Sequence, residues 1–310
     1  MGQMLDGRWV DDAALGVIRA DGSWTRAPSI IRHQIGEEAE FPAVPGRYRL
    51  YAAWNCPWAH RVLLTRALLG LGDAIPVSFV APARTDQGWV FDRATGYTDD
   101  LLGKAALHEV YAAGDPEYTG RVTVPLVYDT VTGTLVSNES ADLVRMLPTA
   151  FAGVARRPLD LYPLALRPEI DRWNDQIHAK LNNGVYRAGF AESQSAYDSA
   201  VEEVFATLDA IEDRLSQSPY LAGDQLTEAD VRLFPTLARF DVAYYIAFKC
   251  CRRRITDYPH VWHYAREFYA LPGVADTVRF DIYRRGYFSR SDKRNPLGIV
   301  PTAPAIDWSL

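Results

Sequence analysis

The chain has few cysteines, little excess charge of either sign and no long apolar run. Three of its 310 residues are cysteine, an odd number that cannot form a complete disulfide framework, so a reducing cytoplasm is expected. A net charge of −6 argues against a nucleic-acid partner, whose phosphates require a basic face. No stretch approaches the roughly 18 apolar residues of a membrane span. The acidic N-terminus also lacks the pattern of a signal peptide, so no membrane partner is expected.

What the chain does contain is typical of one large folded domain or two medium ones. Hydrophobic residues make up 48% of it and aromatic residues 12%, which is enough apolar surface to fold without crosslinks. Residues 1–46 are rich in turn formers and predict an irregular arm. The pattern then changes to one of strands and helices.

Residues 47–150 have the pattern of a small α/β domain. The expected elements are, in order, a strand over 47–53, a helix over 58–71, a strand over 75–80, a turn-rich insertion over 81–120, a hairpin over 122–137 and a helix over 141–147. Because strand, helix and strand follow one another at the start, the first two strands are expected to be parallel.

Residues 151–310 predict an all-helical domain that ends in an extended, proline-rich tail. Helix-like periodicity runs through residues 168–181, 195–216, 227–246 and 259–271. Thr227 and Asp230 have the spacing of a capping box at the start of the third of these helices. The fold class is therefore an α/β domain followed by an all-α domain.

The position of Cys56 in the sequence indicates a reactive thiol. It lies between a strand and a helix that begins at Pro57, where free backbone N–H groups and the helix dipole stabilise a thiolate. The alternative, a small buried hydrophobic residue, stays open on spacing alone. Ala59 stands where a dithiol oxidoreductase would have its second cysteine, so an external thiol would have to resolve a mixed disulfide on Cys56. Cys250 and Cys251 are interpreted as structural, and no metal-ligand spacing is present.

The segment Asn55-Cys56-Pro57-Trp58-Ala59-His60-Arg61, with Val124-Pro125 and Glu139-Ser140, resembles the thioredoxin-like domain of glutathione transferases. More narrowly, the chain is similar to the Xi class, the glutathionyl-hydroquinone reductases. The same similarity extends over residues 21–26, 88–91, 182–190 and 295–301. The tail departs from the family pattern at Leu297, where threonine is commoner, and at Ala303, where a Gly-Pro pair is commoner.

The resemblance implies a glutathione site in the α/β domain. Val124-Pro125 would be a cis peptide that exposes the Val124 backbone to the cysteinyl part of glutathione; from the residues alone, Pro125 would be an edge-strand proline. Glu139 would bind the γ-glutamyl ammonium and Ser140 its carboxylate, although both also suit simple helix capping. Trp89 and Arg121 would flank the tripeptide, with Arg121 meeting a carboxylate.

The resemblance also implies the reaction. Tyr186 and Tyr287 would face a quinol and donate to its oxygen, with Tyr245 as a weaker third candidate. Glutathione would be the co-substrate, no metal would be needed, and the protein would be a cytoplasmic homodimer. Cys56 would take the glutathione of a glutathionyl-hydroquinone into a mixed disulfide that a second glutathione resolves. Two alternatives remain: an omega-like thioltransferase or dehydroascorbate reductase, and a non-catalytic protein that binds aromatic ligands on the same fold.

Overall fold

The computed structural model describes residues 2–11 and 18–310. The chain divides into two compact units, one formed by Met1–Leu15 and Pro28–Leu159 and the other by Gly16–Ala27 and Asp160–Leu310. The residues predicted as an arm are therefore shared between the two units. Within the described part of the chain, no helix combines the length and apolarity needed to cross a membrane.

The first unit is built on a mixed four-stranded sheet with the strand order β4-β3-β5-β6, and a short hairpin of β1 and β2 precedes it. Its strands are β1 (Gln3–Leu5), β2 (Arg8–Val10), β3 (Tyr48–Ala52), β4 (Val77–Phe79), β5 (Leu126–Asp129) and β6 (Thr134–Ser137). Strands β3 and β4 are parallel, as predicted, and the other pairs in the sheet are antiparallel. The sheet core is apolar because Leu50, Tyr51 and Leu126 are fully buried.

The helices of this unit are α1 (Pro57–Leu69), α2 (Leu107–Gly114) and α3 (Ser140–Ala150). Helix α1 begins at Pro57, where a missing N–H costs nothing, and ends at Gly70, whose φ of 67° is left-handed. Helix α2 lies inside the turn-rich insertion predicted over residues 81–120, and the sequence analysis did not predict this helix. The sequence gives little signal for this helix, because it has only eight residues and its N-cap residue, Ala106, has no side chain that could cap it.

Pro125 does not lie on an edge strand, because β5 is enclosed between β3 and β6. The strand starts one residue later, at Leu126, so the sheet does not need a donor from the proline. The Val124–Pro125 peptide bond is cis, as the family resemblance implies. The edge-strand alternative is thus wrong.

The second unit is helical. Its helices are α4 (Arg167–Gln176), α5 (Gly184–Phe190), α6 (Gln194–Leu215), α7 (Glu228–Arg239), α8 (Tyr245–Ala247), α9 (Pro259–Ala270) and α10 (Phe280–Tyr287). Two π-helical segments, Ile177–Asn182 and Phe240–Tyr244, follow α4 and α7 directly. The capping box at Thr227 and Asp230 is present. Four long helices match the sequence prediction, whereas the short helices α5 and α10 were not delimited by it.

Candidate active site

The sheet of the first unit brings most of the residues predicted to bind glutathione to one edge. Tyr51 on β3 lies opposite Leu126 on the antiparallel β5, so the carboxyl end of β3 is next to the amino end of β5. Cys56 follows the first of these ends and Val124 precedes the second. Since β6 runs antiparallel to β5, its carboxyl end, which leads to Glu139, lies at the same edge.

The sulfur of Cys56 is half-buried at the start of α1. Cys56 is the N-cap residue, and its Sγ accepts a hydrogen bond from the Ala59 N–H at 3.5 Å. The thiol donates to the carbonyl oxygen of Val124 at 3.3 Å. The Ala59 N–H belongs to the first turn of α1, so the sulfur lies at the N-terminus of that helix. The sulfur therefore has the helix-terminal environment that the sequence predicted, and it is not sealed inside the core.

Residues 60 and 61, which follow on the same helix, are held inside the unit. His60 and Arg61 are 1% and 2% exposed. The Arg61 guanidinium lies 4.5 Å from the ring centre of Trp58. Both side chains are therefore buried in the first turn of α1.

Glu139 and Ser140 open helix α3. One carboxylate oxygen of Glu139, Oε1, accepts the Ala141 N–H at 2.8 Å and so caps the helix. Ser140 is buried, and its hydroxyl donates to the same oxygen at 3.5 Å. The other oxygen, Oε2, accepts no hydrogen bond from any residue that the structure describes, although the residue is only half-buried. Glu139 therefore caps its helix through Oε1.

Trp89 reaches the same edge through the loop that follows β4. The Ala81 N–H bonds to the carbonyl of Val90, which ties the loop back to the end of that strand. The Trp89 ring is 4% exposed, and the Arg84 guanidinium lies 4.2 Å from its centre. The indole Nε1 is buried and has no hydrogen-bond partner in the described residues, and a buried donor of this kind is costly unless a ligand satisfies it. Arg121 is half-buried, three residues before Val124.

The second unit contains a cluster of tyrosine hydroxyl groups. The Tyr186 and Tyr287 hydroxyls are 2.6 Å apart, and Tyr287 also bonds to the hydroxyl of Tyr244 at 3.1 Å. The Phe248 ring packs against all three tyrosine rings, with centroid distances of 5.1 to 5.4 Å. The structure thus joins the two predicted quinol tyrosines directly, within one unit.

The hydroxyl groups of Tyr244 and Tyr287 are protonated at neutral pH. Burial raises the pKa of both Tyr244 and Tyr287 well above its ordinary value, and the nearby guanidinium of Arg239 opposes that shift. Arg239 is itself fully buried, with its Cζ 3.7 Å from the ring centre of Tyr283. Neutral phenols can donate hydrogen bonds to a substrate oxygen on which negative charge develops.

Two family models match the chain. That of the glutathione S-transferase N-terminal domain matches residues 55–150 and that of the C-terminal domain matches residues 194–267. The chain is 44% identical to the glutathionyl-hydroquinone reductase PcpF of Sphingobium chlorophenolicum, covering 98% of this chain and 97% of PcpF. It is also 44% identical to the glutathionyl-hydroquinone reductase YqjG of Escherichia coli, covering 99% of this chain and 96% of YqjG.

Solved structures agree with these sequence matches. The Xi-class transferase of Natrialba magadii superposes with a TM-score of 0.92 at 39% identity, covering 100% of this chain and 95% of that one. The glutathione-bound structure of Escherichia coli YqjG superposes with a TM-score of 0.88 at 43% identity, covering 99% of this chain and 97% of that one. The chain is a member of the Xi class of glutathione transferases.

In this Xi-class transferase, sequence reasoning missed one member of the hydroxyl cluster. Tyr244, not its neighbour Tyr245, bonds to Tyr287. Tyr245 instead lies under the Arg254 guanidinium, whose Cζ is 5.3 Å from the ring centre. The π-helical segment Phe240–Tyr244 turns through more residues per turn than an α-helix, so counting by 3.6 from α7 does not predict which tyrosine points into the cluster.

Over residues 2–11 and 18–310, no three His, Cys, Asp or Glu side chains are grouped as the ligands of a metal ion would be.

Proposed function

We propose that this transferase reduces glutathionyl-hydroquinones to hydroquinones, with glutathione as co-substrate. The observation that carries the proposal is the position of Cys56 at the start of α1, where its sulfur accepts the Ala59 N–H. Residue 59 is alanine, whereas a dithiol oxidoreductase would have its second cysteine there. A lone reactive thiol of this kind forms a mixed disulfide and needs an external thiol to release it. PcpF and YqjG are both named for this activity.

The first unit is proposed to bind the glutathionyl part of the substrate. The free oxygen of Glu139 would pair with the γ-glutamyl ammonium, and the Ser140 end of α3 would receive the adjacent carboxylate. The Val124 backbone would pair with the cysteinyl part. The orphaned Trp89 Nε1 and the Arg121 guanidinium are the proposed contacts for the rest of the tripeptide, and both suit a carboxylate or carbonyl.

The second unit is proposed to act on the ring. The hydroquinone first shifts a proton from oxygen to the carbon that carries sulfur, giving a keto tautomer. The Cys56 thiolate then attacks the glutathione sulfur, and the electron pair of the breaking carbon–sulfur bond moves to the ring oxygen. Tyr186 and Tyr287 would donate to that oxygen and Tyr244 would support them, so the product leaves as a neutral hydroquinone.

A second glutathione completes the cycle. Its thiolate attacks the glutathionyl sulfur of the mixed disulfide, and the Cys56 sulfur leaves with the electron pair. The products are glutathione disulfide and free enzyme. One glutathione is thus oxidised together with the glutathionyl group of the substrate, while the ring gains a hydrogen in place of sulfur.

Mass spectrometry tests the first half-reaction. Brief exposure of the protein to a glutathionyl-hydroquinone without free glutathione should place one glutathione on the Cys56 peptide and release one equivalent of hydroquinone. Cys251, which is also a free and exposed cysteine, is an internal control and should stay unmodified. An unmodified Cys56, or an adduct confined to Cys251, would refute the proposal.

Substitution at Cys56 separates the proposal from its alternatives. C56S and C56A should lower kcat by at least about 1,000-fold while leaving the fold intact, because a serine hydroxyl is a far weaker nucleophile at neutral pH. The control variant C251S should keep wild-type turnover. Rates on a protein mixed disulfide and on dehydroascorbate should be well below the rate on a glutathionyl-hydroquinone; the reverse order would favour a thioltransferase.

We further propose that the protein acts as a homodimer in the cytoplasm, as the family resemblance implies. The cytoplasmic location is supported by the proposed reaction, because the pool of reduced glutathione in the cytoplasm would supply the second thiol. Light scattering after size exclusion at micromolar concentration should give twice the chain mass of 34.7 kDa.

A further inference from the structure

The turn after α10 holds one arginine in a fixed place. The Ser291 and Asn295 backbones bond to each other in both directions, at 3.1 and 2.9 Å. The Asn295 amide donates to the carbonyls of Phe288 at 2.5 Å and Ile299 at 3.0 Å, which ties the turn to the chain on both sides. Arg294 is the residue inside this turn next to Asn295, so its backbone is anchored even though its side chain is exposed.

The Arg294 guanidinium lies on the aromatic cluster. Its Cζ is 4.3 Å from the ring centre of Phe190. Phe190 stacks on Tyr186 one turn earlier in α5, with 6.0 Å between ring centres and 18° between planes. A cation is thus placed next to the tyrosine that is proposed to meet the quinol oxygen.

A second guanidinium supports the positive potential at the same ring. The Arg26 Cζ lies 5.0 Å from the ring centres of both Trp24 and Tyr186. Its Nε donates to the Asn183 side-chain oxygen at 3.0 Å, which fixes its plane. Arg26 is held between two rings, whereas Arg294 is exposed, so Arg294 is the cation that an incoming molecule can contact.

The charge of Arg294 is not neutralised locally. In the described residues no carboxylate lies within 4.0 Å of its guanidinium, whereas the preceding Lys293 pairs with Glu192 at 2.6 Å. A guanidinium presents two parallel N–H groups that match the two oxygens of a carboxylate. An exposed guanidinium next to these aromatic rings favours a ligand with a carboxylate over a matched uncharged one, because only the carboxylate can form this paired contact.

We propose that the ring site prefers hydroquinones that carry a carboxylate on a short side chain, and that Arg294 is the residue that sets this preference. The inference rests on the proposed function, and it names the substrate class within it. The carboxylate would pair with the Arg294 guanidinium while the ring oxygens face the tyrosine hydroxyls.

Two matched substrates test the preference: the glutathione thioether of 2,5-dihydroxyphenylacetic acid and that of its methyl ester. For the wild type, kcat/KM should be about threefold to tenfold higher for the acid, as expected for one partly exposed charge-assisted pair. The ratio should fall to about one in R294Q and take an intermediate value in R294K. It should also fall as salt is added.

The control variant is R290Q, since Arg290 is exposed on the same segment and contacts no ring or carboxylate in the described residues. It should keep the wild-type ratio. A ratio of substrates cancels any general loss of enzyme, so a partly unfolded variant does not imitate the effect. Equal kcat/KM for acid and ester in the wild type, or an unchanged ratio in R294Q, would overturn the inference while leaving the proposed function in place. If neither substrate were converted, the inference would be overturned, and the Cys56 adduct experiment would decide the proposed function separately.

Discussion

At the scale of single residues, the central hydroxyl of the tyrosine cluster belongs to Tyr287. It is the group that bonds to both Tyr186 and Tyr244. Loss of a proton from one phenol is easier when a neighbouring hydroxyl can donate to the resulting anion. A chain of three hydroxyls therefore lets charge that develops at the substrate spread over more than one phenol.

Removing the Tyr287 hydroxyl should slow the chemical step on the ring. Y287F is expected to lower kcat on a glutathionyl-hydroquinone by about 100-fold, the typical contribution of one positioned proton donor. Y244F should cost about tenfold, because it removes one supporting hydrogen bond. Single-turnover measurement of hydroquinone release checks both values.

The second half-reaction is the internal reference for these variants. Release of glutathione from a preformed Cys56 mixed disulfide does not involve the ring, so Y287F and Y244F should leave its rate unchanged. Y245F is the matched control, since Tyr245 lies under Arg254 and should turn over like the wild type. If Y245F were slowed as much as Y244F, the Tyr244 hydroxyl would have no specific role in the chemical step.

At the scale of elements, an ion pair ties the start of β3 to the turn between β5 and β6. Arg47 binds both oxygens of Asp129, with Nε–Oδ1 at 2.8 Å and Nη2–Oδ2 at 2.6 Å. Asp129 also accepts the Val131 N–H and the Thr132 hydroxyl. Its carboxylate is fully buried, so the turn depends on this charge being present and paired.

Acid should therefore loosen this turn. Burial raises the pKa of Asp129, but the hydrogen bonds from Arg47, Thr132 and Val131 outweigh it and bring the pKa to about 2, below its ordinary value of 3.8. Since the folded-state pKa is the lower one, the stabilisation is complete above about pH 4 and is lost as the pH falls towards 2.

Thermal unfolding as a function of pH checks this expectation. D129N should lower the Tm at pH 6, and its difference from the wild type should shrink as the pH falls from 4 to about 2. The matched control is D73N, because Asp73 pairs with Arg156 in the same unit but both side chains are largely exposed. A pH-independent difference for D129N would mean that the carboxylate's charge does not stabilise the turn.

Elements with strong local signals could be predicted from the sequence. Pro57 marks the start of α1, and the Thr227 capping box marks α7, because each signal lies within one helical turn of the boundary that it sets. Helix α2 could not be predicted in this way, since its packing comes from distant residues such as Leu135, which lies against Gly114. Tyr244 was missed for a related reason: the register of a π-helical segment is decided by tertiary contacts.

At the scale of the whole molecule, the sequence predicted one irregular arm over residues 1–46 but did not predict that it is divided between the two units. Its residues 18–27 belong to the helical unit, where Trp24 is buried against Tyr186 and Phe190. The segment has no periodicity from which its packing partner could be predicted. Only the family resemblance over residues 21–26 indicated that it has a role in the fold. Residues 12–17 of the arm lie outside the described residues, so the prediction of an irregular arm is not tested there.

Glutathione binding should stabilise the protein through Glu139, and E139Q is the variant that isolates its charge. The glutamine keeps a side-chain oxygen for the Ala141 N–H, so the α3 cap and the Tm without ligand should change little. The ligand-induced rise in Tm should be smaller, because the γ-glutamyl ammonium loses its partner. We expect about a tenfold weaker Kd, or about 1.4 kcal/mol less stabilisation at saturating ligand.

A ligand without the ammonium group completes this test as a double-mutant cycle. Glutaryl-cysteinylglycine differs from glutathione only by that group, so it should bind the wild type and E139Q equally. Y287F alters the ring site instead and should show the full wild-type shift with glutathione. If E139Q weakened both ligands alike, Glu139 would act only by shaping the helix start, and the ammonium would have to be held elsewhere. If the glutathione shift were lost in Y287F as well, the assignment of tripeptide and ring to separate units would be wrong.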